Sequence, residues 1–132
     1  MKFVLDSNIL FTYFWENALI HKIKGSIDCY APEFALQEIE EHKQEIKEKA
    51  KLSEELYQQK KNKLKEEVCF ISTEKYKVSM KKAEKSCPDK DDIDFVALAI
   101  HMNCPLWTND ARLKQVISLK VFSTKELIGI VF

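Results

Sequence analysis

The stretch Met1 to Phe11, MKFVLDSNILF, places a carboxylate between two apolar runs. The first run, KFVL, has the β-branched and aromatic residues of a short buried strand, and the second, ILF, begins a helical apolar pattern. Asp6 is therefore predicted to lie where a strand ends and a helix begins. A carboxylate at such a turn either caps the helix or serves a ligand, and the rest of the chain bears on that choice.

The length and composition of the chain restrict its class. We expect one domain covering residues 1–132, because this length can bury a sizeable core. Lys plus Arg (21) balances Asp plus Glu (21), so no overall basic field indicates nucleic acid. The four cysteines form no C-x-x-C pair and no export signal is visible, so we expect reduced thiols and a cytoplasmic protein. The apolar runs are too short to span a bilayer, and no membrane partner is expected.

Short apolar segments alternate with longer helical patterns along the chain. The five candidate strands are 2–6, 27–31, 67–71, 104–108 and 119–123. This alternation predicts an α/β fold, with a mainly parallel central sheet flanked by helices and a ligand crevice at the carboxyl ends of the strands. Pro32 is expected in the first turn of the helix that follows the second strand.

The segment from residue 43 to residue 67 is dense in lysine and glutamate. Ser53 is a candidate N-cap that divides it, which predicts a helical hairpin inserted around residues 40–66. Its apolar positions form one thin packing stripe: Ile46, Ala50, Leu56, Tyr57 and Leu64. The hairpin is either a solvated excursion or a substrate clamp or dimer arm, and a dimer arm would make the protein a homodimer.

Six of the seven aspartates lie in three short stretches, VLDSN, CPDKDDIDF and WTNDARL, where strands end or helices begin. Carboxylates that converge on one pocket repel each other, by roughly 4 kcal/mol for two charges about 4 Å apart at an effective dielectric near 20. A cation must compensate, and oxygen ligands favour Mg²⁺ or Mn²⁺. The pattern predicts a metal site that can activate water against a phosphodiester.

Each of these acids also has a structural explanation. Asp6 could cap the helix that follows, although Ser7 or Asn8 would be the more natural cap. Asp110 follows a predicted strand and could cap a helix as well. Glu38 has the weakest independent case, because the sequence EIEE offers three neighbouring glutamates.

Three acids precede the next helix, and one of Asp89, Asp91 and Asp92 is expected to cap it. Which acid of this stretch would bind a metal stays open among Asp91, Asp92 and Asp94, and Asp91 or Asp94 could contact the pocket from its side.

The motifs VLDSNILF, PDKDDIDFVALAIHMNCPLWTND and VFSTKELI, with a glutamate on the helix after the second strand, together resemble the PIN-domain nucleases nearly end to end. PIN domains are metal-dependent nucleases with a small parallel sheet between helices. They include RNA-processing enzymes and the toxins of toxin–antitoxin pairs. The resemblance implies a divalent-metal-dependent endonuclease with RNA as its substrate and, if it is a toxin, an antitoxin protein as its partner.

The resemblance also implies roles for particular residues. It makes four acids the catalytic and metal-binding residues: Asp6, Glu38, Asp92 and Asp110. Asp92 is chosen because it precedes the alanines of FVALAI at the family's interval, and Asn8 and Thr108 become polar supports at the rim of the pocket. Asp94 departs from the family, which more often has an apolar residue or proline at that position.

Basic residues flank the predicted site. Arg112, two positions after Asp110, is either a surface residue or a bidentate phosphate ligand. Lys82, Lys85 and Lys90 could form a basic lip for a nucleic-acid backbone.

The sequence also bears on two other function classes. An aspartyl phosphatase needs a second aspartate two positions after the first, and this chain has Asn8 there, which argues against covalent phosphoryl transfer. A catalytically silent PIN-like adaptor that binds RNA or protein stays open as the alternative.

Overall fold

The structure is a computed structural model, and it describes residues 1–116 and 119–132. The strands are β1 (Lys2–Leu5), β2 (Asp28–Pro32), β3 (Val68–Ile71), β4 (Leu106–Trp107) and β5 (Val121–Phe122). The α-helices are α1 (Ser7–Thr12), α2 (Ile20–Ile23), α3 (Phe34–Glu41), α4 (Lys43–Ala50), α5 (Glu54–Glu67), α6 (Thr73–Tyr76), α7 (Met80–Ser86), α8 (Ile93–Met102) and α9 (Thr124–Val131). Short 3-10 helices cover Lys77–Ser79, Lys90–Asp92 and Ala111–Gln115.

The five strands form one sheet in the order β3-β2-β1-β4-β5, and every pairing is parallel. In β1, Val4 is in register with Tyr30 of β2 and with Leu106 of β4. The predicted α/β fold with a parallel central sheet flanked by helices is therefore confirmed. Each of the five candidate strands corresponds to a strand of the sheet, although β4 and β5 are only two residues long.

The chain winds in opposite directions from the centre of the sheet, because β2 lies on one side of β1 and β4 on the other. In open parallel sheets, ligands bind at such a switch point, outside the carboxyl ends of the two strands. Helix α8 packs against both β1 and β2. Its consecutive residues Phe95 to Ala99 are all buried, which explains the unbroken apolar run FVALAI in its sequence.

The hairpin predicted around residues 40–66 is present as α4 and α5, and Ser53 caps α5 by accepting a hydrogen bond from the backbone N–H of Leu56 at 3.2 Å. Ile46, Tyr57 and Leu64 are buried as the packing stripe requires. The prediction that Leu56 belongs to the packing stripe was wrong, because Leu56 is 46% exposed at the start of α5. The stripe is therefore narrower than the sequence suggested.

The second strand runs one residue further than expected. Pro32 is the last residue of β2, pairs in register with Ile71, and precedes α3 instead of opening it. Because proline cannot donate a hydrogen bond, a strand end accommodates it as well as a first helical turn does.

Among the residues that the structure describes, no helix is both long and apolar enough to cross a membrane.

Candidate active site

The candidate site lies where β1 and β4 end side by side. Asp6 follows β1 directly, and its backbone N–H donates to the carbonyl of Trp107 at 3.0 Å, which extends the pairing of the two strands. Thr108 follows β4, and its backbone N–H donates to the carbonyl of Phe122 in β5 at 3.0 Å. The sheet thus delivers both residues to the switch point.

Asp6 is buried, with 2% of its surface exposed, and each of its oxygens accepts a hydrogen bond. The backbone N–H of Ser7 donates to Oδ1 at 2.8 Å, and the hydroxyl of Thr108 donates to Oδ2 at 2.6 Å. Asp6 is therefore the N-cap of α1 itself, and the expectation that Ser7 or Asn8 is the cap was wrong. Burial raises its pKa, which the hydrogen bonds from Thr108 and Ser7 partly offset. An ionised carboxylate offers about four acceptor positions, so capping and ligation are compatible.

Glu38 projects from α3 toward the same crevice. Its Oε1 is buried and has no hydrogen-bond partner within the described residues. Burial and the negative charges of Asp6 and Asp91 together raise the pKa of Glu38 to about 7. These charges act on Glu38 because the fold brings it near acids that are distant from it in the sequence.

Asp92 lies at the N-terminus of α8, but its side chain makes no capping hydrogen bond. Its Oδ2 is buried and has no hydrogen-bond partner in the described part of the chain. Burial, followed by the negative charges of Asp6, Asp89 and Asp110, raises the pKa of Asp92 to about 6 in total. Asp92 is therefore oriented into the acid cluster and makes no side-chain capping bond to its own helix.

The neighbours of Asp92 have other partners. Asp89 is the cap of the short helix Lys90–Asp92, and its Oδ1 accepts from the backbone N–H of Asp91 at 3.0 Å. Asp91 is exposed. Asp94 accepts a hydrogen bond from the hydroxyl of the buried Tyr76 at 2.5 Å, so its side chain is bound to the α6 region. Of these acids, only Asp92 combines a buried, unpartnered oxygen with the crevice.

Asp110 caps the short helix Ala111–Gln115 through a hydrogen bond from the backbone N–H of Arg112 at 3.0 Å. Its own N–H donates to the hydroxyl of Thr108 at 3.0 Å, so Thr108 links Asp6 to Asp110. The Arg112 side chain also donates to both carboxylate oxygens, and these contacts lower the pKa of Asp110. Asp110 is therefore the cap of this short helix, and its charge also acts on Asp6 and Asp92, whose pKa values it raises.

The remaining predicted residues, Asn8, Lys85, Lys90 and Arg112, are all exposed. Asn8 is exposed and lines a cavity between α1 and α4, together with His42 and Glu45. Lys85 on α7 and Lys90 are exposed and form no ion pair with any described residue. Arg112 is exposed and pairs with Asp110.

The acids of the crevice offer only oxygen ligands, the type that hard divalent cations prefer. Two buried carboxylate oxygens, Glu38 Oε1 and Asp92 Oδ2, have no partner, and Asp6 raises the pKa of both groups. A bound cation would give both oxygens a partner and would offset the repulsion from Asp6, so these residues fit one. No group of three or more His, Cys, Asp or Glu side chains is already arranged to hold a metal ion in residues 1–116 and 119–132. To hold an ion, the four carboxylates would have to move closer together.

Sequence reasoning missed two residues near the site. Tyr76 anchors Asp94 from 18 positions away, and no local pattern indicates such a contact. Cys87 lies close to the acids, because the charges of Asp92, Asp89 and Asp6 all raise the pKa of its thiol, after burial. Its position beside the acidic stretch was the available signal for that proximity.

The sequence matches the family model for the PIN domain over residues 4–127. Among solved structures, the chain is similar to one in the crystal structure of VapBC2 from Rickettsia felis bound to a DNA fragment from their promoter. The TM-score is 0.67 at 17% sequence identity, and the match covers 93% of this chain and 98% of the other, so it shows a shared fold. Comparison with curated proteins gave no match. Since the family model spans nearly the whole sequence, the chain belongs to the PIN-domain family.

Proposed function

We propose that this protein is a divalent-metal-dependent endoribonuclease whose catalytic and metal-binding residues are Asp6, Glu38, Asp92 and Asp110. PIN domains are nucleases that generally use divalent metal ions, and membership of the family makes a nuclease the leading function. Mg²⁺ or Mn²⁺ is the cofactor that suits four carboxylates, because both ions prefer oxygen ligands.

One observation carries the proposal. Glu38 and Asp92 each hold a buried carboxylate oxygen without a protein partner in the described chain, beside the buried Asp6. Burying an acid without a partner is costly, and placing several together is more so. A fold retains such an arrangement where a bound cation restores the balance.

The surrounding residues fix the geometry of the acids. Thr108 donates to Asp6 and accepts from the backbone of Asp110, which holds the two carboxylates on neighbouring strand ends. Glu38 reaches the site from α3 and Asp92 from the start of α8. A divalent cation held by them would supply Lewis-acid stabilisation of the phosphodiester and a more acidic water. Lys85 and Lys90, both exposed and free of ion pairs with described residues, are suited to contact the nucleic-acid backbone.

A cleavage assay tests this proposal directly. Labelled single-stranded RNA and the matching DNA are incubated with the protein and Mg²⁺ or Mn²⁺, and with EDTA as the metal-free control. The Asp6→Asn variant should lose cleavage. Asp28→Asn is the matched control, because Asp28 is an exposed aspartate at the start of β2, away from the carboxyl ends. No metal-dependent cleavage above Asp6→Asn across several RNAs would contradict the proposal, and faster cleavage of DNA would correct the substrate.

We also propose that the nuclease is the toxin of a toxin–antitoxin pair, with an antitoxin protein as its partner. Support comes from the family, which includes such toxins, and from the shared fold with a chain of VapBC2. Expression of the wild-type chain should arrest bacterial growth, and Asp6→Asn should not. Growth that is equal for both would argue against a toxin.

A PIN-like adaptor without catalysis is the second candidate, and one observation favours it. No three acids of the described residues are arranged to hold an ion as they stand, and Asp110 is occupied by Arg112. Melting temperatures at constant ionic strength distinguish the two functions. Stabilisation by Mg²⁺ or Mn²⁺ supports the nuclease, and indifference to both ions supports the adaptor.

A further inference from the structure

Arg112 is the only arginine among the 21 lysine and arginine residues of the chain. Its guanidinium forms a fork on Asp110, with Nε 3.1 Å from Oδ1 and Nη2 2.7 Å from Oδ2. Nη2 also lies 3.9 Å from Oδ2 of Asp89. A positive side chain is therefore placed within the group of acids that is proposed to bind the metal.

The fork explains why an arginine occupies this position in a chain that otherwise uses lysine. A guanidinium presents parallel N–H donors that match a carboxylate or a phosphate, whereas an ammonium acts as a point charge. The backbone N–H of Arg112 also donates to Oδ1 of Asp110, which strengthens the pair. No other charged side chain in the described part of the chain forms an ion pair with any of the four proposed ligands.

The pairing has a consequence for the proposed metal. A divalent cation that binds Asp110 must share this carboxylate with the guanidinium, and two positive groups on one carboxylate repel each other. Arg112 is 60% exposed, so its side chain can swing away without opening a hole in the core. Once released, it would have its donors free beside the crevice.

We propose that Arg112 competes with the divalent cation for Asp110, and that cation binding frees the guanidinium to hold a phosphate of the nucleic acid. The inference rests on the proposed function, because it takes Asp110 as a metal ligand. It assigns an order to the binding events, with the cation first and the phosphate second. Coupling of this kind is reciprocal, so removal of Arg112 must strengthen cation binding.

Calorimetric titration with Mg²⁺ tests the competition in the wild type, Arg112→Ala, Arg112→Lys and Lys114→Ala. Lys114 is the matched control: it lies on the same short helix, is 45% exposed, and pairs with Glu126 outside the acid cluster. Arg112→Ala should bind Mg²⁺ about three- to fivefold more tightly, the size expected for loss of an exposed ion pair. Arg112→Lys should be intermediate, since it keeps the charge and loses the fork.

Two outcomes of the titration would overturn the inference. Equal affinity of the wild type and Arg112→Ala would show that the pair does not oppose the cation. Equal tightening in Arg112→Ala and Lys114→Ala would show an effect of net charge instead of competition for Asp110. If the wild type bound no Mg²⁺, the proposed function would be contradicted, and this inference with it.

A single arginine also allows a direct structural readout, because a ¹⁵N-labelled sample gives one arginine Nε–H signal. That N–H donates to Asp110, so saturating Mg²⁺ should shift the signal and speed its exchange with water. Inorganic phosphate should move the signal when Mg²⁺ is present and leave it unchanged when Mg²⁺ is absent. A signal that ignores Mg²⁺ while the titration shows binding would overturn the competition. A response to phosphate without Mg²⁺ would overturn the order.

Discussion

The crevice at the ends of β1 and β4 and the hairpin of α4 and α5 both concentrate charge, but they arrange it in opposite ways. In the hairpin, acids meet lysines: Lys49 lies 2.8 Å from Glu45, and Lys43 lies 2.5 Å from Glu54. In the crevice, Arg112 pairs with Asp110, but the other acids meet acids, and Glu38 has a buried oxygen with no partner among the described residues. The same residue types thus serve solubility in one region and a site in the other.

Two glutamates of α3, Glu38 and Glu40, show the contrast between the crevice and the hairpin. Lys61 of the hairpin pairs with Glu40 and lowers the pKa of that carboxyl. Burial and the nearby acids raise the pKa of Glu38 to about 7. The helix turns by about 200° over two residues, so one glutamate faces the hairpin and the other the crevice. Crowded acids that the chain itself leaves unpaired indicate a ligand that comes from outside it.

The crevice and the hairpin should differ most in how a substitution changes the rate of RNA cleavage. Asp92→Asn should lower RNA cleavage at least roughly 100-fold, the scale expected when one electrostatic group of an active site is lost. Glu45→Gln, which removes a paired charge from the hairpin, should leave the rate unchanged. Single-turnover cleavage rates in Mn²⁺ measure both. Similar rates for Asp92→Asn and the wild type would remove Asp92 from the site.

The second largest difference should lie in how strongly a metal ion stabilises the protein against unfolding. At a hundred times its dissociation constant, Mg²⁺ or Mn²⁺ should add about 2.7 kcal/mol to the free energy of unfolding. Asp92→Asn should lose most of that gain, and Glu45→Gln should keep it. Urea denaturation with and without the ion gives the comparison, and an equal gain in both variants would place the ion elsewhere.

The pH dependence of stability should follow the crevice and not the hairpin. Glu38 has an ordinary pKa of 4.5 and a folded pKa of about 7, so between these values the folded state holds a proton that the unfolded chain has released. Its stabilising contribution is therefore present below about pH 4.5 and is lost as the pH rises through 7.

In EDTA, we expect Glu38→Gln to stabilise the protein at pH 8 by about 1 to 2 kcal/mol relative to wild type, allowing for partial solvent screening. The difference should shrink toward pH 5. Urea denaturation at a series of pH values measures it. A free-energy difference that is constant with pH would mean that Glu38 is not the titrating group.

The smallest effect is expected in the hairpin. Glu54→Gln removes the partner of Lys43 and of Lys47, whose Nζ is 3.7 Å away. Because Glu54 is 53% exposed and neither lysine is buried, water and salt already screen these pairs, and the melting temperature should change little. Melting curves at low and high salt check this. A large loss at low salt would show that the hairpin depends on its charge pairs.

Sequence alone predicted the elements whose signals are local. The segment 67–71 and the N-cap Ser53 are specified by neighbouring residues, and both are found where expected. Leu56 was misjudged because helical spacing cannot tell which edge of a thin apolar stripe meets the core. Pro32 was misjudged because proline suits a strand end and a first helical turn equally.

The candidate site was predictable in its composition and less so in its contacts. The positions of Asp6 and Asp110 at strand ends followed from the alternation of apolar and polar residues. The bond from Thr108 to Asp6 joins residues 102 positions apart, and the bond from Tyr76 to Asp94 joins two that are 18 apart. Such pairings depend on strand order and on helix orientation, neither of which is contained in local spacing.

The central place of β1 has a consequence for synthesis of the protein. Asp6 and its hydrogen-bond partner Thr108 are 102 residues apart, because β2, β3 and the helices around them come between β1 and β4 along the chain. During synthesis, β4 must therefore leave the ribosome before Asp6 and Asp110 can be brought together. A polypeptide that stops before β4 lacks Asp110 and so lacks the complete set of proposed catalytic acids.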